Sequence, residues 1–365
     1  MDELIAAPTT VNLVLGLYEV LIPSVQEACK NLARDAHPLA DAPSVRLARL
    51  IDFDLENANS FGVNAIPCLV DETLRTEASD WLQLLKNCLL SASNLDGTVP
   101  SDVAVPEAKA SVEPYQYDGM PKRDERFIDP FNAGVNPEAF LYDEKYAARD
   151  KTLMMYYKRL REIDVPEMMA SIVSEIKDKP WDFYMEMCRQ LWDEARHAMM
   201  GEVGFASLGI DWRKIPINFT WSRNLNTQLT AQERHGVLFF IEQGLMPKTG
   251  KRFEWEVGVA SGSPLSALFQ DFDWADEVLH SQIGRRWYVP QFQSLVESLK
   301  YGDECWSKVV SHWAEYRDQG LTKHSNWWPA VYESACERWG VKPDPVALAY
   351  QETYESKRAD LKVLN

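Results

Sequence analysis

Apolar positions recur at helical spacing along most of the chain. Residues 12–34 and 43–59 carry them every three to four positions on either side of the turn text "HPLADAP", and a third helix is expected at 81–90. From 91 to about 126 the periodicity fails in "SASNLDGTVPSDVAVPEAKASVEPYQYDGMPKRDER", rich in Pro, Ser, Asp and Gly, which predicts a linker or a surface arm. Helical patterns then run over 142–178, 182–207, 229–246, 264–288, 291–317, 326–338 and 345–361, punctuated by "KDKPW", "GLMPKTG", "SGSP" and "GVKPDP". Few stretches alternate as a half-buried strand would. The pattern predicts an all-α chain: a helical N-terminal region (1–90), the linker or arm (91–126), a four-helix bundle (127–290) and a helical C-terminal extension (291–365).

Two of the strongest helical patterns share a motif. "LWDEARHAMM" holds Glu194-x-x-His197, and "DWADEVLHSQIG" holds Glu277-x-x-His280, each with an Asp immediately before the Glu. Residues three apart lie one turn apart on one helix face, so each pair can bind one ion from a single helix. One such pair is a weak signal; two, in a chain with six histidines, are a strong one. A partner carboxylate is expected on each preceding helix. With the first hairpin turning near Lys179 and Pro180, the position level with Glu194 falls near 166, which points to Glu167, with Glu175 or Glu162 as substitutes. Glu242 and Glu277 have their midpoint at 259–260, inside a Gly- and Ser-containing connection, so Glu242 qualifies if part of "KRFEWEVGVAS" is helical or folds back. Four carboxylates and two imidazoles suit a pair of iron or manganese ions, and four negative charges balance two divalent cations.

Composition narrows the function classes. The formal charge is −17, with 55 acidic against 38 basic residues, which opposes capture of phosphate backbones and disfavours a nucleic-acid substrate; "GRRW" could still serve a small anion. No apolar run reaches the roughly 20 residues a membrane helix needs, and the acidic start "MDELIAAPTT" lacks the form of a secretory signal, so a cytoplasmic, non-membrane protein is expected. The six cysteines form no C-x-x-C pair and read as free, buried thiols.

The ligand pattern resembles the ferritin-like superfamily of di-iron and di-manganese carboxylate proteins, a pattern that general accounts of helix bundles describe in the same terms. "DEARH" is similar to the D-E-x-R-H signature of bacterial multicomponent monooxygenase hydroxylases; "DEVLH" has Leu279 where that Arg would stand. "IEQGLMPKTG" with "DEVLHSQIGRRW" looks like the second half of an uncharacterised family of bacterial ferritin-like proteins. The resemblance covers roughly residues 150–290. It implies Glu167, Glu194, Glu242, Glu277, His197 and His280 as metal ligands and catalytic residues, with two Fe ions, a Mn/Fe pair or Mn. It further implies that Asp193 and Asp276 orient the histidines through their other ring nitrogen, with Arg196 pairing one of these acids. The implied activity is O2-dependent oxidation of a small organic substrate, fed by an external electron donor, in a homodimer.

Plainer readings stand beside these. Asp164-x-x-Glu167 around Pro166 can be a capping box. His235, two turns before Glu242, reads as a hydrogen-bonded histidine rather than an extra ligand; His37, His312 and His324 have no comparable setting. The tryptophans read as packing and "KRLRE" as a solvated helix face, while Tyr156, Tyr157 and Tyr184 could reach the bundle interior, where nothing in the sequence distinguishes a redox tyrosine from a packed one. Glu19 and Glu56-x-x-Asn59 repeat the rhythm of a metal hairpin without the histidine and read as plain helical residues. The alternative functions are iron storage or ferroxidation without an organic substrate, a helical interaction protein, and hydroxylation of a modified tRNA, which the acidic balance weakens.

Overall fold

The computed structural model describes residues 1–120, 135–217, 220–311, 315, 319 and 325–353. His312, His324, Arg126 and residues 354–361 of the last expected helix lie outside them. Among the described residues the chain is all-helical, with no strand and a single isolated bridge, Val135 to Thr353. No described helix is long and apolar enough to cross a membrane. The chain divides into two compact units, Met1–Gln116 and Tyr117–Asn365.

The first unit is built from α1 (Asp2–Ile5), α2 (Thr10–Leu15), α3 (Ile22–Asp35), α4 (Ala42–Leu69) and α5 (Glu72–Ser91), with a π-helical stretch Gly16–Leu21 joining α2 to α3. The helices at 43–59 and 81–90 both prove longer than their patterns suggested. Asp71 caps α5 by accepting the N–H of Leu74, and Leu15, Val20, Ile66, Trp81 and Leu85 form the core. Residues 91–116 belong to this unit: the Glu3 carboxylate accepts the N–H groups of Lys109, Ala110 and Ser111. Glu19 pairs with Arg75, and Glu56 is exposed, so the metal-like rhythm of this region is ordinary helix surface.

In the second unit, α6 (Pro137–Leu141) leads into α7 (Ala148–Leu160), which passes through a 3-10 turn, Arg161–Asp164, into α8 (Val165–Glu175). A tight connection at 176–180 reverses the chain into α9 (Trp181–Ser207). A long crossover at 208–230, containing the short α10 (Asn226–Gln228), leads to α11 (Ala231–Gly244), whose start is fixed by a capping box of Thr230 and Glu233. After a break at 245–250 come α12 (Lys251–Ala260) and, past residues 261–263, α13 (Pro264–Trp287), begun by Ser263 as cap and Pro264 in its first turn. Then follow α14 (Leu295–Ser311), α15 (Trp328–Trp339) and α16 (Pro345–Leu348); residues 349–353 are not helical.

Four rods surround the unit's interior. The first is α7 with α8, the second α9, the third α11 with α12, the fourth α13. Helix α9 packs on α7 and α8, α13 on α9, α11 and α12, while α8 meets α11 and α7 meets α12, so the contacts close a ring at both ends. Close approach has a local cause in Gly201: a Cβ there would run into the backbone of Leu160, so α9 can lie against α7 only because position 201 has no side chain. Apolar cores flank the polar centre, one around Met168, Met169, Phe183, Met187 and Val237, the other around Phe140, Tyr157, Phe205, Trp328 and Tyr332. Both interrupted rods, the first and the third, break at the level where the acids gather.

Candidate metal centre

The first hairpin turns about Asp178, held at a left-handed φ of 62°. The residue level with Glu194 across that turn lies as far before 178 as Glu194 lies after it, and that residue is Glu162. The expectation for Glu167 is thereby corrected: Glu162 stands in the 3-10 turn with Oε2 3.4 Å from His197 Nδ1, whereas Glu167, five residues on, falls on another side of the rod and joins neither group of potential ligands. The capping-box reading of Asp164 and Glu167 fails too, because Asp164 makes no cap bond and instead accepts from the N–H and hydroxyl of Ser222. Glu175 pairs with Arg234.

The second hairpin brings Glu242 to Glu277 through its break. The loop at 245–250 closes on itself, the Lys251 N–H bonding the carbonyl of Leu245 at 3.2 Å, so the rod advances little across it. Gly250 permits this closure, since a Cβ there would strike the Leu245 carbonyl. Glu242 therefore sits at the height of Glu277, and Lys251 enters the site from the far side of the break.

Five of the six residues expected from the sequence, Glu194, His197, Glu242, Glu277 and His280, come together in the interior, all at most 5% exposed. Two sets of ligand atoms lie within 4.8 Å of one another: Glu162, His197 and Asp273, and Glu194, Glu242 and His280. Glu194 spans both, with Oε2 3.7 Å from His197 Nδ1 and Oε1 3.2 Å from His280 Nδ1. The two ring centroids are 5.8 Å apart. His280 Nδ1 is also 3.6 Å from Glu277 and 3.8 Å from Glu242.

The Asp of each motif serves the histidine of the other helix. His197 Nε2 lies 3.1 Å from Asp276, and His280 Nε2 lies 3.4 Å from Asp193, which leaves both Nδ1 atoms aimed inward. Arg196 donates to both acids, at 2.9 Å to Asp193 and 2.6 Å to Asp276, rather than to one. Further polar groups grip the ligand carboxylates from behind. Gln190 donates to Glu242 Oε1 (3.2 Å), Lys251 contacts Glu277 Oε1 (2.8 Å), and Arg159 contacts Glu162 Oε1 (2.9 Å). Among the buried atoms that complete no hydrogen bond are Glu162 Oε2, Glu194 Oε1, Glu242 Oε2, Glu277 Oε2 and the Nδ1 atoms of His197 and His280. These atoms approach one another at ion-pair distances but are not aligned to donate and accept.

No family model, curated protein or solved structure matches the chain. The chemistry of the site therefore rests on its own geometry. Burial pulls the His197 imidazole down, but the facing carboxylates of Asp276, Glu162 and Glu194 outweigh it and raise the group to about 10. His280 is raised well above its ordinary range by Asp193, Glu194 and Glu277 against the same burial. For Glu194, burial is outweighed by the two imidazoles, which hold it at about 2. Glu242 is pushed well above the carboxylate range by burial and by Glu277, while Glu277 is held well below it, burial being overcome by Lys251 and by a hydrogen bond with Glu242. These opposed directions favour the charged form of both imidazoles and set Glu242 and Glu277 apart, the proton being held more readily by Glu242 than by Glu277.

Asp273, Lys251, Arg159 and Gln190 were not singled out from the sequence, and Lys158 and Arg159 of "KRLRE", read as solvated, are buried. Lys158 pairs with Glu254, whose carboxyl is held at about 2 by Lys158, Lys251 and Arg159 against burial; Arg159 pairs with Asp273 and Glu162. Asp273 could have been found, lying one turn before Glu277 on the same face; nothing in the text marks the buried cations. His235 stays out of the site, packed by Phe183 and Tyr288. Tyr156, Tyr157 and Tyr184 bond Ser266, the Pro216 carbonyl and the Ile176 carbonyl. In "GRRW", Arg285 donates to the neutral amide of Gln243, and Arg286 engages the acids Asp182 and Glu186. All six cysteines are free, but only Cys305 and Cys336 are buried.

Proposed function

We propose that the second unit is a ferritin-like four-helix bundle holding a dinuclear centre, two Fe ions or a Mn/Fe or Mn pair, and that the protein is an O2-dependent oxidase or oxygenase of a small organic substrate supplied with electrons by an external donor. The observation that carries this reading is the convergence of buried, unsatisfied oxygen and Nδ1 atoms from four rods on one place. Such atoms are costly unless something fills the space between them, and a mixture of carboxylate oxygens with two imidazoles suits iron or manganese better than a structural zinc.

Charge supports bound cations. The linked network holds eight carboxylates (Glu162, Asp193, Glu194, Glu242, Glu254, Asp273, Asp276, Glu277) against four interior cations (Lys158, Arg159, Arg196, Lys251), with Arg189 at its solvent edge. With Arg189 counted, eight carboxylates face five cations, and the remaining surplus is of the sign that bound divalent ions would offset. When bound, such a pair supplies the electron transfer to dioxygen that no side chain here can provide.

The residues have separable tasks. Glu162, Glu194, Glu242, Glu277, His197 and His280 would hold the ions, Glu194 reaching both. Asp193 and Asp276 fix the imidazole rotations, Arg196 ties those two acids together, and Gln190, Arg159 and Lys251 each turn one carboxylate so that its Oε2 faces inward. The flanking apolar cores keep bulk water from the centre. Iron storage would use the same ligands; cage-sized assemblies on size analysis would favour it, and a homodimer the enzyme.

The test is Fe(II) loading under anaerobic conditions followed by air, monitored optically alongside elemental analysis. Two metal ions per chain and an oxygen-dependent absorption change are expected, both lost in Glu194→Ala with helicity retained. A chain that binds no transition metal contradicts the reading.

A further inference from the structure

The two halves of the centre are not dressed alike. Beside His197, Glu162 and Asp273 are both already engaged by Arg159, and Lys251 reaches both oxygens of Asp273 at 2.8 and 3.0 Å. Beside His280, Glu242 is engaged by no Lys or Arg, only by the neutral amide of Gln190 and its neighbours His280 and Glu277, and Glu277 gives one oxygen to Lys251. Arg159, Lys251 and Asp273 are each 1% exposed or less, so these charges act at full strength on whatever lies next to them.

Resting on the dinuclear reading, we propose that Arg159, Lys251 and Asp273 form a fixed ionic frame that makes the two metal positions unequal. The position bounded by Glu194, Glu242 and His280 fills first and tightly; the position beside Glu162 and His197 fills second and weakly. The physical cause is local charge. An incoming cation at the second position meets a guanidinium and an ammonium already neutralising its carboxylates, and it must share Asp273 with both. At the first position the carboxylates carry no such fixed partner apart from the single Lys251 contact to Glu277. Arg159 and Lys251 touch the carboxylates from behind and are positioning residues, while Asp273 faces His197 Nδ1 at 3.7 Å and is shared between them and the incoming ion. Removing charges of opposite sign from the frame should move the weak position in opposite directions, which a general loosening of the fold would not do.

The test is titration of the metal-free, full-length protein with Mn(II), following free Mn(II) by its EPR signal. Two ions per chain are expected, with dissociation constants separated by about tenfold or more, a difference of roughly 1.4 kcal/mol per decade. Lys251→Met should tighten the weak step and narrow the gap; Asp273→Asn should weaken that step further and leave the tight one in place. Glu162→Gln should remove the weak step and spare the tight one, and Glu242→Gln the tight step. Equal affinities in the wild type, a single ion at saturation, loss of the tight step in Glu162→Gln, or a gap that neither frame variant moves would each overturn the inference. Binding of no Mn(II) would instead refute the dinuclear reading on which it stands.

Discussion

His235 and His280 are both buried imidazoles, and their neighbours drive them in opposite directions. Carboxylates surround His280 and keep it protonated; His235 sits between Phe183 and Tyr288, where burial, aided by Lys179, pulls it down to about 4. The consequence for stability has a definite sign. Below its ordinary 6.5 the unfolded chain's imidazole takes up a proton that the folded protein refuses until near 4, so folding stability is full above about pH 6.5 and declines as the pH falls toward 4. The loss is on the order of 3 kcal/mol at most. His235→Leu should flatten this part of the acid limb in thermal melts at pH 7 and pH 5; an unchanged slope contradicts the assignment. The same residues show where sequence reading stops. That two histidines follow a Glu by three is visible in the text, but that Arg159 is interior while Arg189 faces water is decided by which rod each helix face meets.

At the scale of elements, the metal register depends on two irregularities. The sequence carries the four rods legibly because their apolar spacing is long and strong, and it carries the motif-bearing Glu and His positions because a helix turn fixes their relation. It does not carry the turn's centre, which lies at Asp178 rather than 179–180, and that offset exchanges Glu167 for Glu162. The break at 245–250 was legible as punctuation, yet its closure through Gly250 was not. Gly250→Ala should therefore cost about 1–3 kcal/mol in denaturant melts and weaken metal binding through the displaced Lys251 and Glu242. Gly244→Ala, on the last turn of α11 with nothing near its Cβ, should be neutral or stabilising by up to about 1 kcal/mol. Equal effects of the two substitutions would show that the loop's closure does not set the register.

At the scale of the molecule, an acidic chain gathers a surplus of negative charge in the interior of its second unit, where metal ions and protons answer the same carboxylates. Metal and protons should then compete. Loading Mn(II) at pH 7 should expel protons from these side chains, as read by calorimetry in buffers of different ionisation enthalpy. Metal uptake with no proton release would place the ions elsewhere. The reading also predicts that a chelator lowers the thermal midpoint and that Mn(II) restores it, because an ion bound only by the folded state stabilises it by mass action.

The most direct measurement is anomalous scattering from crystals grown with Fe(II) or Mn(II), recorded at the metal's absorption edge. The account predicts two peaks, one against Glu162 and His197, the other against Glu242 and His280, both in the neighbourhood of Glu194. No peak among these side chains, or metal bound only at the protein surface, would contradict it.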